Sequence, residues 1–286
     1  RTALADVDRC WEALQDAEKS RIHVFIATSE DHMRKKLKMT PDQVKIETRQ
    51  AVAHAKQYTA DVEFSPEDAS RSDFDFMCEV LQIAVDAGAT TLNIPDTVGY
   101  GVPEEYGRRI SDVRERVKGD YIISTHCHDD LGMAVANTLQ AVKAGARQVE
   151  VTINGIGERA GNAALEEVVV AMDTRQDYYG TTTELDKTEL PGSSRLVAKL
   201  TGYPVQFNKA VVGRNAFLHE AGIHQAGVLE DATLYEVVDA VSVGREAAEI
   251  AVGKHSGTHG VSSRLEVLGI KASNRKEISE ACSRAG

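Results

Sequence analysis

The sequence predicts an α/β protein: a (β/α)8 TIM barrel lacking its N-terminal strands, followed by small, mostly helical subdomains. Three observations predict it. Strand-like and helix-like segments alternate five times, with strand starts near residues 21, 61, 90, 121 and 148, spaced 27 to 40 residues apart. That is the rhythm of βα units on a parallel sheet. Each apolar run ends in a polar cluster: Thr28-Ser29, Glu63-Ser65, Asp96-Thr97, His126-His128 and Asn154-Asn162. Chemistry is thereby placed at the carboxyl ends of parallel strands, where barrels and doubly wound sheets both build their sites. Finally, five separate strand ends contribute, which suits a barrel better than an open sheet with one main crevice. Eight units make a barrel, so three are expected ahead of Arg1. The chain opens without methionine and directly in a helical pattern, which predicts a fragment.

Leu4, Val7, Trp11 and Leu14 recur at helical spacing and predict a first helix. "RIHVFIATS" (21–29) is β-branched and apolar, hence a strand. Thr40, Pro41 and Gln43 form a capping-box signature that opens the next helix. Strand 60–68 and a helix over 73–87 follow, then strand 90–99 and a helix over 103–117. Strand 121–130 precedes a helix over 133–144. "QVEVTINGIGERAGN" (148–162) runs from a strand into a glycine-rich loop before a helix over 163–172. After about residue 175 the rhythm stops. "GTTTELD" (180–186) reads as an exposed connection, and "NRKEISEACSRAG" as a helical tail. The expected organisation is a partial barrel over 1–175 and a linker with small helical subdomains over 176–286.

The formal charge is −11, with 42% hydrophobic and 27% charged residues. This acidic balance argues against nucleic acid and membrane surfaces as partners. No run is apolar enough to span a bilayer, and no signal-peptide pattern opens the chain. Cys10, Cys78, Cys127 and Cys282 form no CxxC pair; they read as free thiols in a reducing compartment, the cytoplasm. The basic run "RKKLK" (34–38) reads as a solvated face.

"STHCHDDLG" (124–132) carries the sharpest signal. Alternate strand residues share a face, so His126 and His128 aim at one place, either as ligands of a divalent metal or as a hydrogen-bonded pair lining a pocket. The polar ends of neighbouring strands favour a site. Cys127 points the other way, toward the covering helices. "NGIGERAGN" (154–162) is a tight loop or a close backbone approach to a ligand, and its glycine spacing is not the dinucleotide fingerprint. Glu63 is a catalytic carboxylate or a strand-end residue paired with Arg71, the pair being favoured.

"HCHDDLGMAVAN" and "NGIGERAGNAALEEVV" together resemble the 2-isopropylmalate synthases of leucine biosynthesis. "FIATSEDHMRKKLKMT", "VEFSPEDASRSD", "IPDTVGY", "AGIHQAG" and "GKHSGTHG" extend the resemblance over nearly the whole chain. These enzymes sit among metal-dependent barrel lyases and acyltransferases that include homocitrate, citramalate and methylthioalkylmalate synthases. The resemblance implies an acyltransferase that condenses acetyl-CoA with 2-oxoisovalerate, converting the acyl group to alkyl on transfer. It implies a divalent metal, Mn2+ or Mg2+ and alternatively Zn2+, held by His126 and His128 with Asn162 as a third or nearby contact.

By the same resemblance Thr97 grips the 2-oxo acid carboxylate and His23 is a second substrate-binding residue. Glu63, His224 and Tyr235 are the candidates for proton transfer. His224 and Tyr235 would enter the barrel of a partner subunit, which implies a homodimer. Two family features have no counterpart in the chain: the Arg-Asp pair of the first strand and the leucine-binding regulatory domain. The chain alone is therefore expected to be a poor catalyst. A related synthase using another 2-oxo acid, or a non-catalytic fragment retaining metal binding or dimer contacts, are the alternative readings.

Overall fold

The computed structural model describes residues 1–219, 230–231, 234–246, 249–250, 262, 265 and 269. The chain divides into two compact units, Arg1–Val168 with Asp177–Gly180, and Val169–Gln176 with Thr181–Gly286.

The first unit opens with α1 (Leu4–Leu14), which buries Val7 while Leu4 stays exposed. Trp11 stacks on Tyr58 with ring centroids 5.5 Å apart. Five strands follow: β1 (Arg21–Ala27), β2 (Asp61–Glu67), β3 (Thr91–Asp96), β4 (Ile122–Cys127) and β5 (Gln148–Glu150). All pair in parallel, and their order in the sheet is their order in the chain. A doubly wound sheet reverses direction at a switch point. This sheet has no reversal, so it is an arc of a barrel.

Between strands run α2 (Pro41–Ala55), α3 (Phe74–Asp86), α4 (Pro103–Arg116) and α5 (Ala134–Ala144), with α6 (Leu165–Thr174) after β5. Local signals set their starts. Thr40 Oγ1 accepts from Gln43 N–H and the Gln43 side chain accepts from Thr40 N–H, the reciprocal box that ends two orphan donors. Asp73 caps α3 through Phe76 N–H, and Pro103 begins α4.

The alternation along each strand sorts residues into two layers. Ile22, Val24, Ile26, Val62, Phe64, Leu92, Ile94, Ile123 and Cys127 are buried on the outer face, the face that the crossover helices cover in a parallel sheet. Each large side chain there contributes about 1.5–3 kcal/mol of burial. The opposite face carries Arg21, His23, Phe25, Glu63, Ser65, Asn93, Ser124, His126, Gln148 and Glu150. Cys127 indeed faces outward, beside Thr125 and fully buried. The basic run sits on a π-helical turn (His32–Leu37), with Arg34 and Lys35 exposed against Asp31.

The short α7 (Gln176–Tyr179) belongs mostly to the first unit; the second contains α8 (Leu190–Thr201) and two parallel two-residue strands, β6 (Leu218–His219) and β7 (Glu249–Ile250). Arg245 donates to the carbonyls of Val212 and Gly213, both at 3.2 Å. Residues 180–186 form no regular element. The expected helical tail lies outside the described residues. Among the described residues no helix is long and apolar enough to cross a membrane.

Candidate active site

The inner face of the sheet is polar throughout, and its two ends differ. At the amino end Arg21 lies between β1, β2 and β5. Its Nε donates to Asp61 at 2.9 Å, and its Nη1 donates to Glu63 at 3.1 Å and contacts Gln148. Gln148 Nε2 donates in turn to Glu63 Oε1 at 2.8 Å and to Ser124 Oγ at 2.9 Å. Every charge here has a partner.

Toward the carboxyl end the face opens into a cleft of about 520 Å³, lined by His23, Phe25, Ser65, Glu67, Asn93, Pro95, Thr97, His126 and Glu150. His23 Nε2 lies 2.6 Å from Ser65 Oγ, which accepts from Asn93 Nδ2 at 3.0 Å. Asn93 Oδ1 is buried without a hydrogen-bond partner among the described residues.

The two histidines of β4 meet at the rim. His126 Nε2 and His128 Nε2 are 2.9 Å apart. Two nitrogens bound to one metal at about 2.0–2.1 Å and a right angle lie about 3 Å apart, so this spacing fits a shared ion. Asn162 supplies the next observation. It pairs with His128 across an isolated bridge, its Nδ2 donates to Ile156 O at 3.0 Å, and its Oδ1 is buried with no partner among the described residues. A buried orphan acceptor costs free energy unless something satisfies it, and a hard cation would. The loop permits this approach because Gly161 adopts φ +92°, and a Cβ there would fall 1.9 Å from Gly155 O. These residues fit a divalent ion.

A second donor set, His23, Glu63 and Glu150, has ligand atoms within 4.8 Å of one another. It fits less well, because His23 is bonded to Ser65 and Glu63 to Arg21 and Gln148. Burial and the adjacent Glu150 hold Glu63 above the usual carboxylate range. Burial also pushes Glu150 up, but its contacts with His126 and His23 outweigh that and leave it lowered. Burial, then the neighbouring His126 and Arg159, lower His128, which keeps its imidazole neutral; neutral imidazole is the form that ligates metals.

Three loops are tied over the histidines. Arg159, at φ +54°, donates to both Asp130 oxygens at 2.8 and 2.9 Å and to Thr97 O at 2.9 Å, and its Nη2 is 3.1 Å from His128 Nδ1. Asp68, fully buried at φ +66°, takes His32 at 2.8 Å and both Arg71 donors, while its own N–H donates to Thr97 Oγ1 at 3.0 Å.

The structure thus brings together His23, Glu63, Thr97, His126, His128 and Asn162, all in the first unit. Tyr235 lies in the second unit with 46% of its surface exposed. His224 lies outside the described residues. The expected Glu63–Arg71 pair does not form: Glu63 bonds to Arg21, and Arg71 to Asp68. Parallel register puts Glu63 on the inner face, level with Thr91, whereas Arg71 ends the short 3-10 helix Ala69–Arg71 beyond the strand. Sequence reasoning missed Glu150 and Arg159. Period-two counting from Gln148 would have placed Glu150 on the inner face; nothing local announces the reach of Arg159.

Comparison with known proteins gives matches over both units. The family model described as HMGL-like matches residues 1–197, and the model described as homocitrate synthase post-HMGL domain-like matches residues 211–285. A 2-isopropylmalate synthase of Acidimicrobium ferrooxidans is 60% identical over 94% of this chain and 52% of its own length. Proteins of the same name from Methylococcus capsulatus and Pyrococcus abyssi are 53% and 55% identical, over 98% and 94% of this chain and 55% and 56% of theirs. The chain spans about half the length of the curated relatives it matches. Among solved structures, a hydroxymethylglutaryl-CoA lyase from Pseudomonas aeruginosa matches with a TM-score of 0.57 and 20% identity, over 68% of this chain and 67% of that one. An HMG-CoA lyase from Acinetobacter baumannii, in complex with coenzyme A and 3-methylmalate, matches with a TM-score of 0.60 and 22% identity, over 76% and 72%. At this identity the two structures speak to the fold alone.

Proposed function

Because the chain belongs to the HMGL-like family, we propose that it serves a 2-isopropylmalate synthase, an acyltransferase joining acetyl-CoA to 2-oxoisovalerate in leucine biosynthesis. One observation carries the reading at the site: two imidazole nitrogens 2.9 Å apart stand at the rim of a cleft that also holds Thr97 and His23. The names of relatives 53% to 60% identical support the choice of reaction.

His126, His128 and the Asn162 carbonyl would hold the divalent ion. When bound, such an ion supplies Lewis acidity toward the ketone of a 2-oxo acid. Thr97 Oγ1 already accepts from Asp68 N–H, so its own proton is directed elsewhere, as a donor for the substrate carboxylate. Phe25 and Pro95 give the cleft apolar walls for a branched alkyl group. Glu67 and Glu150 line the same cleft, and no lysine or arginine does among the described residues. A second substrate carboxylate, as in 2-oxoglutarate, would meet repulsion there. This favours 2-oxoisovalerate over a homocitrate-type substrate.

Glu63, held above the usual carboxylate range by burial and Glu150, is the inner-face carboxyl best disposed to take up a proton. His224 and Tyr235 remain the other candidates for proton transfer, delivered by the second copy of a homodimer. A separate cleft, bounded by Glu30, Met33, Arg34, Lys38, Met39, Thr40 and Pro41, has in Arg34 and Lys38 two cations suited to the phosphates of CoA, against the one carboxylate of Glu30.

The test is CoA-thiol release with 2-oxoisovalerate, pyruvate and 2-oxoglutarate, on this chain and on a chain extended to the length of its relatives. Turnover of the extended chain with 2-oxoisovalerate, at least about tenfold above the others, is expected, since pocket differences of ~1–3 kcal/mol separate such substrates. Preference for another acid reassigns the substrate, and no turnover with any acid rejects the reading. Mixed His128→Ala and His224→Ala chains of the extended protein should regain activity through hybrid dimers; none, despite subunit exchange, rejects shared sites.

A further inference from the structure

The contacts through the two histidines have a direction. A guanidinium only donates, so the 3.1 Å contact from Arg159 Nη2 makes His128 Nδ1 an acceptor. A neutral imidazole carries one proton. His128 Nε2 therefore bears it and donates across 2.9 Å to His126 Nε2. His126 Nε2 accepts, which leaves its proton on Nδ1. There the carboxylate of Glu150 approaches, with Oε2 at 2.8 Å, an ion-pair contact rather than an aligned hydrogen bond, and Nδ1 has no hydrogen-bond partner among the described residues; a carboxylate oxygen at that distance repels a bare lone pair and favours a proton on Nδ1.

We propose that Glu150 is a positioning residue of the metal centre: by holding the His126 proton on Nδ1, it keeps the Nε2 lone pair aimed at the point shared with His128. The inference rests on the reading that these histidines hold a divalent ion. Parallel register supports it, since His126 and Glu150 are direct neighbours on β4 and β5 and share the inner face. His23 Nδ1 lies 3.9 Å from the other Glu150 oxygen, so the carboxylate stands between two imidazoles. Carboxylates in this relation to a ligating histidine fix its tautomer and orientation and raise its basicity. The two histidines are consequently unequal. Glu150 prepares His126 for a metal, whereas His128 faces a donor, Arg159, and needs its Nε2 proton moved before it ligates.

The test uses the full chain with Glu150→Ala, Glu150→Gln and, as a control, His128→Ala. Mn2+ affinity is measured by calorimetry. Long-range proton–nitrogen correlation spectra of the metal-free protein report which nitrogen of each imidazole is protonated. In the unaltered chain His126 is expected with a proton on Nδ1 and a bare Nε2. Glu150→Ala should mix the two forms and weaken Mn2+ binding about 10–100-fold, the usual cost of losing such a partner. Glu150→Gln has nearly the same shape, and its carbonyl oxygen presents a partial negative charge to the same nitrogen, so it should keep the tautomer and lose less than about tenfold.

If His128→Ala loses Mn2+ while Glu150→Ala binds it like the unaltered chain, the Glu150 assignment is overturned and the metal reading stands. If His128→Ala binds Mn2+ as tightly as before, the metal reading fails. The metal-free spectra then decide the Glu150 assignment alone. A proton on Nε2 of His126 in the unaltered chain, or a spectrum unchanged in Glu150→Ala, overturns it.

Discussion

The two ends of the sheet's inner face are built from the same strands and the same kinds of residue, yet they are in opposite states. At the amino end Arg21, Asp61, Glu63, Gln148 and Ser124 satisfy one another. At the carboxyl end Asn93 and Asn162 each keep a buried oxygen without a partner among the described residues, and two histidine nitrogens converge on one point. Buried polar groups are normally paired, and exceptions call for an explanation. The difference teaches that polarity alone does not mark a site. At the amino end every charged group is paired and only the Thr91 hydroxyl is left without a partner among the described residues, whereas the carboxyl end leaves amide oxygens open beside two converging imidazoles.

The sharpest way to break the comparison is to exchange the roles of the two ends. His128→Ala should weaken divalent-metal binding by more than about 100-fold, beyond the usual cost of a supporting residue. Its thermal stability without metal should fall by about 0.5–3 kcal/mol, the usual range for a buried residue bonded to two neighbours. Calorimetric titration and thermal unfolding of the same preparation check both. Arg21→Gln should behave in the opposite way. It removes the cation from Asp61 and Glu63, the latter with only 4% of its side chain exposed. Losing one partner of a fully buried pair costs ~3–5 kcal/mol. Because Arg21 is one-third exposed, about 1–3 kcal/mol is expected after discounting for solvent. Metal affinity should move less than about twofold, the margin for independent sites. Equal effects of both variants on metal binding would erase the distinction between the ends.

A smaller effect is expected at Glu63, where the two ends meet. Its carboxyl is raised in the folded chain by burial and by Glu150. A carboxyl raised on folding favours the fold below its unfolded value, about 4.3, and that contribution is lost as pH rises through the folded value. Glu63→Gln mimics the protonated form. It should therefore unfold at a higher temperature than the unaltered chain at pH 7, with the gap closing as pH falls below about 4. A gap that widens on acidification contradicts the assignment.

The smallest effect concerns the opposite face of the sheet and its helices. Burial pushes the Cys78 and Cys127 thiols up to about 11. At pH 8 only about one thousandth of such a thiol is thiolate, the reactive form. Both should resist a thiol reagent until the chain is unfolded. Fast native labelling of Cys127, read by peptide mass, would show that the outer face is open.

Much of this was legible in the chain itself. The Thr40-Pro41-Gln43 start of α2 forms the capping box its residue types specify. The five strands begin within a residue of the starts read from the sequence, near 21, 61, 90, 121 and 148. His126 and His128 share a face because every i, i+2 pair on a strand does. Thr97 and Asn162, read as strand-end residues, lie toward the carboxyl end of the arc, and His23, placed by the family resemblance alone, lines the same cleft as Thr97 from the third position of β1. The Glu63–Arg71 expectation failed because closeness in sequence is a poor guide once a strand end turns into a loop.

What the sequence by itself determined is periodic or local: which residues face the helices, where helices start, which strands carry polar ends, and the family that its motifs resemble. The period of two and the geometry of a helix's first turn act over a few residues, so the residue order suffices. Tertiary structure alone decided the partners. Arg21 reaches Gln148, 127 residues away, and Glu150 finds His126 through the pairing of β4 with β5. Arg159 joins Thr97, Asp130 and His128 from a left-handed turn. Such pairings depend on strand register. Sliding a strand by one residue turns every side chain to the other face, and no pattern within a strand specifies which residue of its neighbour it will meet.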